Sequence, residues 1–265
     1  MKIAVLANNY CSGTLETVRH FKNSQKINYV IIETSRRKSQ TSNEIIFNKN
    51  NILLENMLFP KKQKGLINKL KKKLGEKNIF ILIIRIFIQK YKYQKFLNEL
   101  KKENVEIIKV KKHNSIKTKE FIVQNKIDYS LFLSSNYLIK KVLIDIPNFK
   151  IISIHCAILP KNRSLHSMQW SILNGDKTGH TAHFIDEGID TGPILKSEYI
   201  EPNPGENLIE LRQRINSMKP HFFLKVIQEI SENKITPKKQ NIEDGIHHRV
   251  LSLDELLKAN AILTN

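Results

Sequence analysis

His155 and Asp190 are the two residues whose types and surroundings could move a proton. His155 closes a short β-branched run, Ile151-Ile152-Ser153-Ile154, where a buried strand should end and point its last side chain into a cleft. An imidazole titrates at about 6.5 when unperturbed, which suits proton transfer near neutrality. A loop with three acids, Asp186, Glu187 and Asp190, follows and runs into Thr191-Gly192-Pro193. A carboxylate from such a loop can orient an imidazole and stabilise its charged form. The acids do not follow the EF-hand pattern, so no metal is expected.

A frame has to hold these two groups. Lys2 to Ala7 is apolar without alternation, the signature of a strand buried on both faces. It leads into a polar turn and a helix from about Thr14 to Phe21. Asn8, Ser12 and Gly13 in that turn are candidate substrate-binding residues at a helix N-terminus. The turn is neither a GxGxxG nor a Walker loop, because Gly13 is its one glycine. Further strands are read at Ile27–Thr34, Val105–Val110, Tyr129–Leu133, Ile151–Ile154 and Ser197–Ile200. Helices are read at Ile116–Asn125, Leu138–Ile144 and Leu208–Ser231, with Pro220 a candidate kink. Residues 35–51 read as a polar loop. The fold class is therefore α/β: Rossmann-like, a mostly parallel twisted sheet with helices on both faces and a short C-terminal helical extension. Residues 1–200 form the catalytic domain, with a basic helical insertion at about 52–103. Residues 201–265 form a C-terminal helix and tail packed on it.

A chain of 265 residues with 40% hydrophobic and 26% charged content suits a soluble α/β domain. The net charge of +19 is unusual. Residues 61–112 hold 17 Lys/Arg against four acidic residues, about two-thirds of that excess. Two readings stand: a patch for a polyanion, a phosphorylated substrate or an anionic membrane surface, or a composition rich in Lys, Ile and Asn throughout. Cys11 and Cys156 form no disulfide framework or metal spacing. The N-terminal apolar run is too short for a signal-peptide core, and Ile79–Ile88, interrupted by Arg85, is too short to span a bilayer. The expected location is the cytoplasm, with the basic segment suited to the inner face of the membrane.

Four blocks in register then become specific. They are His155-x-x-x-Leu159-Pro160-x-x-Arg163, Trp170-Ser-Ile-Leu-Asn174-Gly175-Asp176, Gly179-His-Thr181-Ala-His183-Phe, and Asp186-Glu-Gly-Ile-Asp190-Thr-Gly-Pro-Ile194. Together they resemble the folate-dependent formyltransferases: the glycinamide ribonucleotide, methionyl-tRNA and sugar N-formyltransferases. The resemblance implies that N10-formyltetrahydrofolate is the co-substrate and donates its formyl group to a primary amine, with no metal. It assigns His155 to oxyanion stabilisation and proton movement and Asp190 to orienting and tuning it. The family's Asn-x-His becomes Ser153-x-His155 here, so a hydroxyl stands where an amide donor is usual. The adjoining His-Pro and Arg-Gly pairs become His155-Cys156 and Arg163-Ser164. The folate pocket maps to Asn136, Tyr137, Leu138 and Ile139, to Ala157, Ile158, Leu159 and Pro160, and to Ile185, Asp186 and Gly188. Arg163 maps to the substrate side.

The same resemblance bears on the amine. The purine enzyme's glycine-rich phosphate loop is absent, and Lys219 stands where that enzyme carries a glutamate, which argues against glycinamide ribonucleotide. The tRNA enzyme uses a C-terminal barrel for which the residues after Leu195 leave little room, although the basic charge suits a polynucleotide. A nucleotide-linked amino sugar for surface polysaccharide is the favoured small-molecule amine. A formyltetrahydrofolate hydrolase and a folate- or sugar-binding protein weakened by Ser153 are the alternatives of other classes. Oligomeric state is not readable.

Overall fold

The computed structural model describes residues 1–8, 12–22, 27–34, 76–133 and 138–264, without the side chains of residues 12, 76–87 and 89. Asn136, Tyr137, Cys11, the loop at 35–51 and the first two dozen residues of the basic segment lie outside the described residues. Two units emerge: Met1–Ser35 with Leu100–Asn265, and Arg36–Glu99. The described part of the second is helix, the first turns of α2 (Glu76–Lys102).

The first unit carries a seven-stranded sheet. Its strands are β1 (Ile3–Asn8), β2 (Ile27–Glu33), β3 (Glu106–Val110), β4 (Tyr129–Phe132), β5 (Lys150–His155), β7 (Gly179–Phe184) and β8 (Ile194–Tyr199). The spatial order is β3-β2-β1-β4-β5-β7-β8. Neighbours are parallel from β3 through β5, and β7 and β8 then run antiparallel. The chain builds outward from β1 to β2 and β3, then returns to lay β4 and β5 on the other side. Such a reversal opens a crevice at the carboxyl ends of the strands, here where Asn8 and His155 lie.

Helices α1 (Ser12–Phe21), α3 (Ile116–Gln124), α4 (Lys141–Ile144) and α6 (Leu208–Ser231) cover this sheet. Ala4 and Leu6 of β1 join Ile122 of α3 and Leu143 of α4 in one apolar cluster. Ile3, Val5 and Ala7 alternate to the opposite face and are also fully buried. This double burial explains why β1 shows no alternation. Helix α3 starts on Ser115, whose hydroxyl accepts from the Thr118 N–H. Asn207 and Glu210 form a capping box at the start of α6.

Several elements depart from the sequence reading. The segment expected to be helical from Leu138 is helical only at Lys141–Ile144, β5 extends to His155, and β8 starts three residues earlier than expected, at Ile194. Strand β7 was not anticipated at all. Its sequence, Gly-His-Thr-Ala-His-Phe, is mostly polar, yet its first five residues are buried. The tail adds β9 (Ile246–His247), paired in parallel with β6 (Asn162–Arg163), and helix α7 (Leu253–Thr264). Helix α7 contributes Ala259 to a second apolar cluster with Met168 and Ile172 of α5 (Ser167–Leu173) and Leu211 and Ile215 of α6.

Histidine 180 shows how β7 tolerates polarity. Its Nε2 donates to the Ile215 carbonyl over 2.8 Å, and its ring stacks on Phe222 at 5.4 Å. The bond falls where Pro220, lacking an N–H, interrupts the α6 ladder at the neighbouring carbonyl. Burial, then the charge of Lys219, pulls the ring from 6.5 to about 4. The folded state thus binds a proton less readily than the unfolded chain, so the stability from neutral His180 is full above pH 6.5 and is lost towards pH 4. Denaturant unfolding across that window should show a loss on the order of 3 kcal/mol. A His180→Gln variant should flatten the profile.

Candidate active site

Strand geometry brings the reactive groups to one place. Ser153 and His155 are two residues apart on β5 and share a face. His183 of β7 pairs directly with Ser153 across the antiparallel ladder, so it projects from the same face. After β7 the chain makes an excursion from Ile185 to Pro193, closed by Phe184 N–H donating to the Pro193 carbonyl at 3.0 Å. Ile185 N–H anchors the excursion to the Ile151 carbonyl at 2.8 Å. Gly192 is needed there, because a Cβ would strike the Phe184 carbonyl. Asp190 sits in the left-handed region at φ 55°, which aims its carboxylate back at β5 and β7.

The carboxylate bridges two histidines. His155 Nδ1 lies 3.2 Å from Asp190 Oδ2, and His183 Nε2 lies 3.5 Å from Asp190 Oδ1, a charge contact too long for a good hydrogen bond. His155 Nε2 is 2.7 Å from the Asn162 carbonyl oxygen. A carbonyl only accepts, so that contact places the ring proton of neutral His155 on Nε2 and leaves Nδ1 as the basic nitrogen facing Asp190. Burial lowers the His155 pKa from its ordinary value, Asp190 and the Asn162 carbonyl oppose this, and His183 and Lys219 reinforce it. The Asp190 carboxyl is raised by burial, but His155 first and then His183 and His247 outweigh that and hold it at about 2. The pair at rest is a neutral imidazole beside a carboxylate. It can accept a proton at Nδ1 and stabilise the imidazolium that results.

The other expected site residues fall into distinct settings. Leu138 is 52% exposed, while Ile139 is buried in the apolar cluster under the sheet. The segment they open is tied to the acidic loop by the Lys141–Glu187 ion pair at 2.9 Å, so two stretches assigned to the folate pocket are neighbours. Ile189 is exposed in that loop and Ile185 packs on the core. Exposed Leu138 and Ile189 offer apolar surface of the kind a flat heteroaromatic ring needs. Asp186 turns inward, accepting from Gly188 N–H at 3.1 Å and Thr191 Oγ1 at 2.7 Å, so it shapes the loop. Ala157 and Leu159 are core residues whose backbone groups bond Thr181 Oγ1 at 2.8 and 3.0 Å. Ile158 and Pro160 are half-buried beside them.

Asn8 ends β1, and Ser12 and Gly13 start α1, with the Gly13 carbonyl accepting from Thr17 Oγ1 at 2.6 Å. Arg163, expected on the substrate side, is engaged with the tail. It is 7% exposed, and Nη2 donates to the Ile242 and Gly245 carbonyls at 3.1 and 2.9 Å. The guanidinium clamps the tail. Ser153 is half-buried, and its hydroxyl has no hydrogen-bond partner among the described residues.

The sequence reading gave no role to His183, Asn162 or Gln240. His183 stood inside a quoted motif, and its pairing opposite Ser153 follows once β7 is known to be a strand. Asn162 acts through its carbonyl, which no residue type announces. Gln240 comes from a distant tail segment.

Residues 88–227 match the family model described as formyl transferase. Methionyl-tRNA formyltransferase of Thermodesulfovibrio yellowstonii is 32% identical over 117 residues, 44% of this chain and 38% of that protein. The Clostridium tetani protein of the same name is 28% identical over 152 residues, 57% of this chain and 49% of that one. The chain thus spans less than half the length of these two relatives. Among solved structures, a 4-N formyltransferase from Francisella tularensis superposes over 98% of this chain and 85% of its own, with TM-score 0.56 and 18% identity. An N-formyltransferase from Helicobacter canadensis, in complex with folinic acid and dTDP-3-aminofucose, covers 95% of this chain and 73% of its own, with TM-score 0.56 and 17% identity.

Proposed function

The chain belongs to the formyl transferase family, and on that premise we propose that it moves a formyl group from N10-formyltetrahydrofolate to the amine of a nucleotide-linked amino sugar. The observation that carries the chemistry is the His155–Asp190 contact at 3.2 Å, at the carboxyl end of β5. A bound formyl donor supplies an electrophilic carbon. A neutral amine attacks it, which creates an oxyanion and leaves a surplus proton on the attacking nitrogen. The His155–Asp190 pair takes up that proton, with Asp190 stabilising the imidazolium, and the proton is returned to the departing folate nitrogen.

Lys219 supports an anionic substrate. It is half-buried on α6, close enough to His155 and His180 to act on both electrostatically, and no described residue pairs with it. An ammonium left without a carboxylate suits a phosphate of the incoming nucleotide. Methionyl-tRNA is the second reading, favoured by the names of the sequence relatives.

Incubating the full chain with N10-formyltetrahydrofolate and a panel of dTDP- and UDP-amino sugars should release tetrahydrofolate only when an amino sugar is present. Release with methionyl-tRNA alone would transfer the assignment to the second reading, and release without any amine would make the protein a hydrolase. Ser153 adds a sharper expectation. A Ser153→Asn substitution puts an amide donor on the His155 face of β5, and kcat should rise about tenfold, part of the 10²–10³ that one oxyanion donor supplies. A fall would mean that the hydroxyl already does this work.

A further inference from the structure

The segment from Lys238 to Leu251 bonds the backbone of Asp190 and packs on Asn162, whose carbonyl holds His155. It begins where Lys238 and Ile194 exchange two backbone hydrogen bonds of 2.8 Å at the start of β8. Gln240 comes next and donates from Nε2 to the carbonyls of Asp190 at 3.0 Å and Gly192 at 2.6 Å. Arg163 then takes the Ile242 and Gly245 carbonyls, and Gly245 passes so close to the Pro160 carbonyl that a Cβ would collide with it. Ile246 and His247 form β9 against Asn162 and Arg163. His248 Nε2 meets Asn162 Oδ1 at 2.8 Å, and its ring stacks on Trp170 at 4.3 Å. Asn162 is the residue whose carbonyl holds His155 Nε2.

We propose that this segment positions the catalytic pair, with Gln240 as the positioning residue that holds Asp190 on His155. The proposal rests on the formyl-transfer reading and adds a component outside the residues that match the family model, which end at 227.

Burial singles out Gln240. It is 7% exposed, whereas every other residue from 231 to 250 is half-buried or exposed. A long polar side chain is buried at a tail position when its hydrogen bonds are needed there. Its two acceptors explain the need. Asp190 holds a left-handed backbone, which is strained for a non-glycine residue. The carbonyls of Asp190 and Gly192 flank the turn, and one amide group bonds both. Removing it frees the turn to relax and lets the carboxylate drift from His155.

The test is Gln240→Met in the full chain, a change of similar size that removes the donor without adding charge. The histidine side-chain resonances are titrated without substrate, and the His155 signal is identified by its loss in a His155→Ala sample. Asp190, His183 and Lys219 are the charged or titratable groups that act on His155, and of these only Asp190 favours its protonated form. The His155 midpoint should therefore move to lower pH when Asp190 drifts, with the His180 resonance unchanged. Formyl transfer should lose about tenfold or more in kcat at unchanged KM, a fraction of what a positioned base contributes. An unchanged His155 midpoint in a folded variant overturns the proposal, even if the melting temperature falls, because Gln240 would then support only the fold. If Gln240→Met does not fold, Gln240→Asn, with the amide on a shorter stem, is read in the same way. If the wild-type chain transfers formyl to no amine, the functional reading fails while the titration still decides the positioning role.

Discussion

Replacing His155 with alanine should lower kcat for formyl transfer by about a thousandfold, within the range that positioned acid–base groups supply. Two contacts and burial make the effect large. Nε2 is fixed by the Asn162 carbonyl at 2.7 Å, Nδ1 faces Asp190 at 3.2 Å, and the ring is 8% exposed, so water cannot easily take its place. Alanine leaves the donor and amine surfaces intact, so binding of the formyl donor should persist, and circular dichroism should report an unchanged fold. The pH profile supplies a second readout. Burial lowers the His155 pKa, and the neutral ring is the active form. The wild-type rate should hold through the ordinary histidine range and fall only at more acidic pH. That acid limb should be missing from the residual rate of the alanine variant. A variant that keeps wild-type turnover would remove His155 from the chemistry.

The His155–Asp190 pair was readable because it sits at a strand end and in a glycine-bounded acidic loop, both visible as residue types. The first strand was readable for a similar reason, since a run buried on both faces is apolar throughout. Strand β7 was hidden by His180, Thr181 and His183, whose side chains find backbone partners in the Ile215 carbonyl, the 157–159 segment and the Phe184 carbonyl. No local pattern encodes those partners. Arg163 shows the converse: the family resemblance put it on the substrate side, but its Nη2 bonds two tail carbonyls 79 and 82 residues away. Gln240 combines both difficulties, being an ordinary side chain in a polar tail whose partners lie 48 and 50 residues earlier. Chemistry was legible where it coincides with secondary structure, and opaque where it depends on long-range backbone contacts.

Substituting Asp190 with asparagine should lower kcat by about a hundredfold or more while changing the binding of either substrate little. Asp190 stays ionised across the working range because its carboxyl is held at about 2. Its charge is the largest influence favouring imidazolium at His155 and opposes the charges of His183 and Lys219. Asparagine preserves size and loop shape but removes the charge, so the proton taken from the amine would reside on a buried imidazolium without its counterion. The His155 midpoint should drop further below the ordinary histidine range. Stability gives an independent check. The folded Asp190 carboxyl lies below its ordinary 3.8, so its contribution is full above that pH and is lost as the pH falls through about 2. The wild-type protein should lose on the order of 2 kcal/mol across this acid window through Asp190, and the asparagine variant should lack that component. Equal acid sensitivity of both proteins, together with unchanged kcat, would mean that the carboxylate and the imidazole do not work as a pair.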